Sequence, residues 1–432
     1  MKKGRDTNTI GTKNNKSDRL GIILFFCILV SLIPILISSI INPGFINGRL
    51  YPITVGIMFL IQVFLLLFYY PPNIKWSINK RLFLFAWAFM IIQTITLLIS
   101  SLKGIQIDNL DFINIIIRFI LLLIFFCIPS RFYITKKGLQ TFMLLIVILG
   151  FVGCIYNIFQ NFNGMINILN INNPNVINFQ SFYLNRNHFG QLLFFALIAN
   201  TFLFLSKRSV FNWLCYFLFG INIITTLSRT VIASVIIFEL IFFIIYFKRK
   251  KAIVTLLTLL LPVLFINSNQ AISNFINNML IREDAGISGR TILWQIGLEI
   301  LNKSNWAFGI GYNTSEAALR NSGSRFHEFH NFYIETLVGC GIVGLLFHLI
   351  IIGLVLKKVK NIYRNDKETG AVFFSGYIAL MFFAFFESIS FFTLGYVGSI
   401  FTIFFITIPI LYSNSFNKQN MNEKVVAETV SN

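Results

Sequence analysis

Again and again, stretches of about twenty residues in this chain carry almost no charge. They fall at 20–41, 51–70, 82–101, 112–130, 138–160, 189–206, 209–227, 230–247, 252–267, 332–356, 371–389 and 394–412. A bilayer core about 30 Å thick takes roughly 20 residues rising 1.5 Å each. Inside lipid the backbone has no water to bond, so each segment must satisfy its own N–H and C=O groups. Continuously apolar runs therefore predict helices. The expected fold is an all-α polytopic membrane protein with about twelve transmembrane helices. The ninth run is short for a full span, and Pro262 predicts a kink in it.

Composition excludes the alternatives. Of 432 residues, 56% are hydrophobic and only 12% charged, about half the charge of a soluble globular chain. Such a chain cannot cover a water-facing surface, which rules out a soluble enzyme, a disordered tail and a secreted disulfide scaffold. All five cysteines (Cys27, Cys127, Cys154, Cys215 and Cys340) lie in apolar runs without CxxC or metal-like spacing. Nineteen polar, basic residues precede a first run of 22, too long for the apolar part of a cleavable signal, so that run reads as an anchor.

The net charge of +19 is mostly a topology signal. With the N-terminus inside, 25 Lys and Arg fall on inside segments and 9 on outside ones, with Arg118 within a span. That asymmetry predicts both termini in the cytoplasm. The expected organisation is a basic cytoplasmic tail over 1–19, a transmembrane domain over 20–412 and a cytoplasmic tail over 413–432. One large extracytoplasmic loop, 268–331, precedes the tenth helix. A second outside stretch, 161–188, is rich in asparagine, which suits carbohydrate but also follows from the chain-wide Asn, Ile, Lys and Phe bias. No internal repeat is evident.

Candidate chemistry gathers outside. His188, His327 and His330 lie on that side, whereas His348 falls within the tenth span. His327-Glu328-Phe329-His330-Asn331 is not the HExxH of zinc proteases, because Asn331 stands at the second histidine position. No third metal ligand is clear, so no metal is expected. A histidine at a membrane surface titrates near neutrality and can take a proton from a hydroxyl. His330 is the preferred general base, with His327 second.

Arginines on the outer side run against the positive-inside bias. Arg186 stands in Asn185-Arg186-Asn187-His188, Arg229 in Leu227-Ser228-Arg229-Thr230, and Arg290 in Ser288-Gly289-Arg290-Thr291. Guanidinium groups bind phosphate oxygens bidentately and keep their charge, so this set points to an anionic ligand. Arg118, inside a span, is expected to face the protein interior with Glu239 or Glu387 as partner. Within the large loop, residues 292–301 follow a helical period and read as a helix on the membrane surface. Gly309-Ile310-Gly311 reads as a turn whose glycines let backbone amides approach a ligand. There is no Walker A sequence.

In order, Gly289-Arg290, Trp294, Phe308-Gly309-Ile310-Gly311, His330-Asn331-Phe332-Tyr333 and Gly339-Cys340-Gly341-Ile342-Val343-Gly344 resemble the bacterial O-antigen polymerase and ligase superfamily. The resemblance is best over about residues 180–355. It implies an enzyme of the bacterial cytoplasmic membrane that acts on lipid-linked glycans at its extracytoplasmic face. Carried over by position, Arg186 and Arg229, with Arg290 beside them, bind the pyrophosphate of an undecaprenyl-linked donor. His330, or His327, is the base, and Asn331, Arg118 and His188 are supporting residues.

The resemblance implies inverting transfer without metal or other cofactor, because a sugar on a lipid pyrophosphate is already activated. Its product would be an O-antigen, capsule or exopolysaccharide of the cell envelope. Expected partners are the undecaprenyl-pyrophosphate-linked oligosaccharide, the bilayer, a flippase and a chain-length regulator, with no nucleic acid. Polymerase is the first reading. Ligase, transferring glycan to lipid A-core or protein, is the alternative within the family. A lipid-linked oligosaccharide flippase is the alternative from another class, and would call for charges lining a path across the bilayer.

Overall fold

The computed structural model describes residues 7–41, 43–69, 80–166, 179–247, 288–324, 326, 328–389 and 391–418. Among them there is helix and no strand. The helices are α1 (Thr7–Leu36), α2 (Leu50–Tyr69), α3 (Lys80–Leu102), α4 (Asn109–Leu122), α5 (Lys136–Ile166), α6 (Arg186–Ser206) and α7 (Val210–Thr225). They continue with α8 (Arg229–Tyr246), α9 (Ser288–Lys303), α10 (Tyr312–Asn321), α11 (Phe332–Asn365), α12 (Lys367–Ala384) and α13 (Tyr396–Thr402).

Nine helices among the described residues are long and apolar enough to cross a bilayer, so the chain is a multi-pass membrane protein. The expected ninth span, 252–267, lies outside the described residues, as do His327 and all of 268–287. Two other expected spans differ in form. The seventh is the 16-residue α7, which at 1.5 Å per residue falls short of a bilayer core. The eleventh, expected over 371–389, is α12, which starts at Lys367 with a polar first turn and ends at Ala384. Glu387 therefore lies beyond a helix end and not inside a span.

Burial separates centre from rim. The helix running on from α13, Tyr396–Lys418, is 94% buried, against 11% for α2. Phe195 of α6 packs its ring 4.8 Å from Phe401 and 5.1 Å from Phe404, both edge to face, a geometry worth about 0.5–1.5 kcal/mol beyond burial. Between helices in lipid, association rests on close packing. Gly150 of α5 meets α6 so tightly that a Cβ there would stand 2.5 Å from Ala196.

The two ends of α11 mark two poles. At its C-terminal end Asp366 accepts from Lys136 Nζ at 3.1 Å and from Tyr412 at 2.8 Å, while its other oxygen caps α12 through the Thr369 amide. At its N-terminal end Asn331 caps the helix by accepting from the amides of Tyr333 and Ile334. The candidate site lies at this second pole.

Segment 305–311 is stitched into a break in α11. Gly341 sits at φ +67, ψ −172 and interrupts the helix, which frees backbone groups on both sides. The amides of Ile310 and Gly311 donate to the carbonyls of Val338 and Gly339 at 2.9 and 2.8 Å. Those of Ile342 and Val343 donate back to Trp306 and Ala307 at 2.9 and 3.1 Å. Of the Gly309-Ile310-Gly311 amides that the sequence offered to a ligand, those of Ile310 and Gly311 are thus partners of α11, and that of Gly309 donates to the Asn305 carbonyl at 2.8 Å. Asp111 of α4 holds the next helix, accepting from the amides of Asn313 and Thr314 and the Thr314 hydroxyl at 2.9, 2.9 and 2.7 Å.

Candidate functional site

Three of the four candidate arginines open helices. Arg186 is the first residue of α6 behind its Asn185 cap, Arg229 the first of α8, and Arg290 the third of α9. Each guanidinium thus adds to the partial positive charge of a helix N-terminus, an environment that attracts anions. Arg186 lies within the field of Arg229, and Arg229 within that of Arg290. The chain brings these three cations to one region from three separate elements.

Arg290 joins that region to the histidine. Its Nη1 donates to Thr230 Oγ1 at 3.3 Å, which ties α9 to the start of α8. Its Nη2 donates to Glu387 Oε1 at 2.9 Å. The second oxygen of Glu387 faces His330 Nδ1 at 3.7 Å, an ion-pair contact longer than a hydrogen bond. Glu387 draws the His330 pKa above its ordinary value, against burial, which pulls it down. His330 holds φ +48, a left-handed conformation uncommon outside glycine, of the kind that clusters at functional sites. The cap at Asn331 and the bond from Trp294 Nε1 to the Phe329 carbonyl at 3.1 Å fix the chain on both sides of it.

His330 and Glu387 both line a cavity of about 570 Å³. Arg118, His188 and Asn331 were the supporting candidates, and they divide. Arg118 and His188 line the cavity, whereas Asn331 acts as a helix cap. Arg118 is not paired with Glu239 or Glu387. Glu387 belongs to Arg290, and the Arg118 guanidinium instead stacks 3.6 Å over the Tyr312 ring. A cation over an aromatic face gains about 2 kcal/mol when desolvated, so Arg118 sits in the interior without a direct ion pair, with Glu316 and Glu335 within its field.

Sequence reasoning missed Glu316 and Glu335, which line the same cavity, and misplaced Glu387. Glu316 is pushed up to about 7 by burial and by the like charge of Glu328. The one available signal was physical: a lone carboxylate next to an apolar run is costly without a job. For Glu316, in a polar loop helix, no such signal existed.

The fold and site together define a multi-pass membrane protein with a histidine-bearing cavity at one pole, beside a group of three arginines at helix N-termini. Residues 214–349 match the family described as O-antigen ligase, a stretch that includes Arg229, Arg290 and His330. The chain is also 32% identical over 144 residues to the exopolysaccharide production protein ExoQ of Rhizobium meliloti. That match covers 29% of this chain and 32% of ExoQ, so the shared stretch is about a third of the relative. Both comparisons support a resemblance to the O-antigen polymerase and ligase superfamily, carried by residues 214–349.

Proposed function

We propose that the protein is a glycosyltransferase of the bacterial cytoplasmic membrane. It joins undecaprenyl-pyrophosphate-linked oligosaccharide repeat units into a surface polysaccharide at the extracytoplasmic face. The observation that carries this reading is the bridge from Arg290 through Glu387 to His330, with Arg229 and Arg186 in the same field.

In this reaction an acceptor hydroxyl attacks C1 of the donor sugar. As the new C–O bond forms, the C1–oxygen bond to the lipid pyrophosphate breaks, with inversion, and the pyrophosphate leaves with the electron pair. The hydroxyl proton goes to His330. Because Nδ1 is turned to Glu387, Nε2 is the nitrogen that takes it, and Glu387 stabilises the resulting imidazolium, as the carboxylate of a catalytic triad does. Arg186 and Arg229, with Arg290, meet the charge that builds on the leaving group, where a preorganised donor is worth roughly 3–4 kcal/mol. Neither a nucleotide nor a metal has a step in this scheme.

Incubating the purified protein with a lipid-linked repeat unit alone tests the reading. A ladder of longer lipid-linked products is expected. Transfer that appears only when lipid A-core or a protein acceptor is added would make the protein a ligase. Movement of substrate across a bilayer without bond formation would make it a flippase.

A further inference from the structure

At the pole away from His330, the C-terminal end of α11 borders a second cavity, of about 1270 Å³. Its walls divide by chemistry. Leu82 of α3, Ile245 of α8, Leu354 of α11 and Phe374 of α12 line it, with Phe126 and Ile410. Leu354 and Phe374 are 38% and 39% exposed, so part of this apolar wall is open at the outer surface of the helix bundle. The cations are Lys357, Lys358, Lys360 and Arg364, all on the last three turns of α11. Among the described residues no carboxylate lines the cavity.

These cations differ in what holds them. Lys358 Nζ donates to Asn414 Oδ1 at 2.9 Å, and the Asn414 amide donates in turn to the carbonyls of Ser130 and Phe132 at 3.0 and 2.9 Å. Among the described residues, Lys357, Lys360 and Arg364 have no ion pair. The carboxylates next along the chain are engaged elsewhere, Asp366 with Lys136 and Tyr412, and Glu368 with Tyr246. Lys357 and Lys360 stand three residues apart and Lys360 and Arg364 four, spacings at which like charges on a helix repel. Setting the orientation of a span asks only for cations in the adjoining loop. It does not ask for three of them, without ion pairs, around one apolar cavity.

An anion with an apolar body answers both walls. A guanidinium fork and lysine point charges take phosphate oxygens, and basic pockets between spanning helices receive charged lipid head groups. The volume exceeds the roughly 300–1,000 Å³ of small-ligand sites, as suits a lipid with two chains. A free phosphate would leave the apolar wall unused.

We propose that this cavity binds an anionic phospholipid, with its phosphate held by Lys357, Lys360 and Arg364 and its acyl chains along Ile245, Leu354 and Phe374. The assignment does not depend on the glycosyl-transfer reading.

The test uses the purified full chain, stripped of lipid in detergent micelles and read by native mass spectrometry. It is titrated with phosphatidylglycerol, with phosphatidylcholine of the same acyl chains, and with inorganic phosphate. Phosphatidylglycerol should bind at least about tenfold more tightly than phosphatidylcholine. The double variant Lys357→Gln, Lys360→Gln should weaken phosphatidylglycerol by roughly 25-fold, about fivefold for each cation removed. Phosphatidylcholine binding and the melting temperature should not change. Lys207→Gln with Arg208→Gln, cations between α6 and α7 that do not line the cavity, should bind phosphatidylglycerol as the parent does. If the first double variant unfolds, Arg364→Gln takes its place, with a loss of about fivefold expected. Equal binding of the two lipids, no loss in the cavity variants, or an equal loss in the Lys207 and Arg208 variant would overturn the proposal. Inorganic phosphate that binds as tightly as phosphatidylglycerol would show a bare anion site and overturn it too. So would a glutamate-rich peptide that binds where phosphatidylglycerol does not, since the partner would then be an acidic protein segment.

Discussion

Arg290 Nη2 lies 2.9 Å from Glu387 Oε1, and the other oxygen of that carboxylate faces His330 at 3.7 Å. One buried carboxylate thereby serves two cationic neighbours that arrive from different elements. Taking two charges out of water is costly unless both are partnered. The bridge joins the loop helix α9 to the segment ahead of α11 through the turn after α12.

The bridge makes a pH prediction with a definite sign. Glu387 raises the His330 pKa, and a general base works in its deprotonated form, so the rate climbs as pH rises through that pKa. Glu387→Gln keeps the shape and removes the charge. The acid limb of kcat/KM should then move to lower pH while the plateau falls. His330→Ala should lower the plateau by roughly 10²–10⁴-fold and abolish that limb. A limb that stays in place in Glu387→Gln, measured as chain growth across pH, would contradict the arrangement.

The arginines should separate chemistry from insertion. Arg186→Ala and Arg229→Ala each remove a cation from a helix N-terminus. Each should cost roughly 10²–10³-fold in kcat, the loss typical of one donor to a developing anion. Both proteins should still insert and purify. Lysine at either position should restore only part of the rate, because it replaces a bidentate fork with a point charge. Single-turnover product ladders read these rates directly.

Much of this was legible in the sequence, for reasons that differ by residue. Arg186, Arg229 and Arg290 stood out because cations on the outer side oppose the topology bias, and the His330-Asn331 pair because of its family spacing. The all-helical fold followed from apolar runs whose backbones have no other way to pair. Glu387 was visible only as a costly charge, since nothing local says which of several distant arginines it meets. Gly309-Ile310-Gly311 suggested a ligand loop because a sequence cannot show that a broken helix thirty residues later needs the Ile310 and Gly311 amides.

Asp111 should act on binding more than on chemistry. Its three bonds to Asn313 and Thr314 hold α10 against α4, and α10 begins with Tyr312, the ring beneath Arg118. Asp111→Ala should lower stability by about 1–3 kcal/mol through the amides it leaves unpaired. It should also raise KM more than it lowers kcat, since His330 and the arginines are untouched. Thermal shift and steady-state kinetics on one preparation separate the two effects.

Two glycines on one helix give the sharpest test of how the loop is held. At Gly341 an added Cβ would collide with the Ala307 carbonyl, and φ +67, ψ −172 is a region that only glycine adopts freely. At Gly353, twelve residues further along α11, a Cβ would meet nothing within 4 Å. Backbone strain alone at Gly341 costs about 1–3 kcal/mol, and relieving the clash means pulling 306–311 off α11. With it would go the four stitching hydrogen bonds and the position of α10. Gly341→Ala should therefore give a markedly lower melting temperature and little chain growth. Gly353→Ala should match the parent protein or slightly exceed it, because alanine suits a helix interior better than glycine by about 1 kcal/mol. If the two variants melt and polymerise alike, the break at Gly341 is not what anchors the loop, and the placement of Tyr312 and Arg118 must be maintained by Asp111 alone.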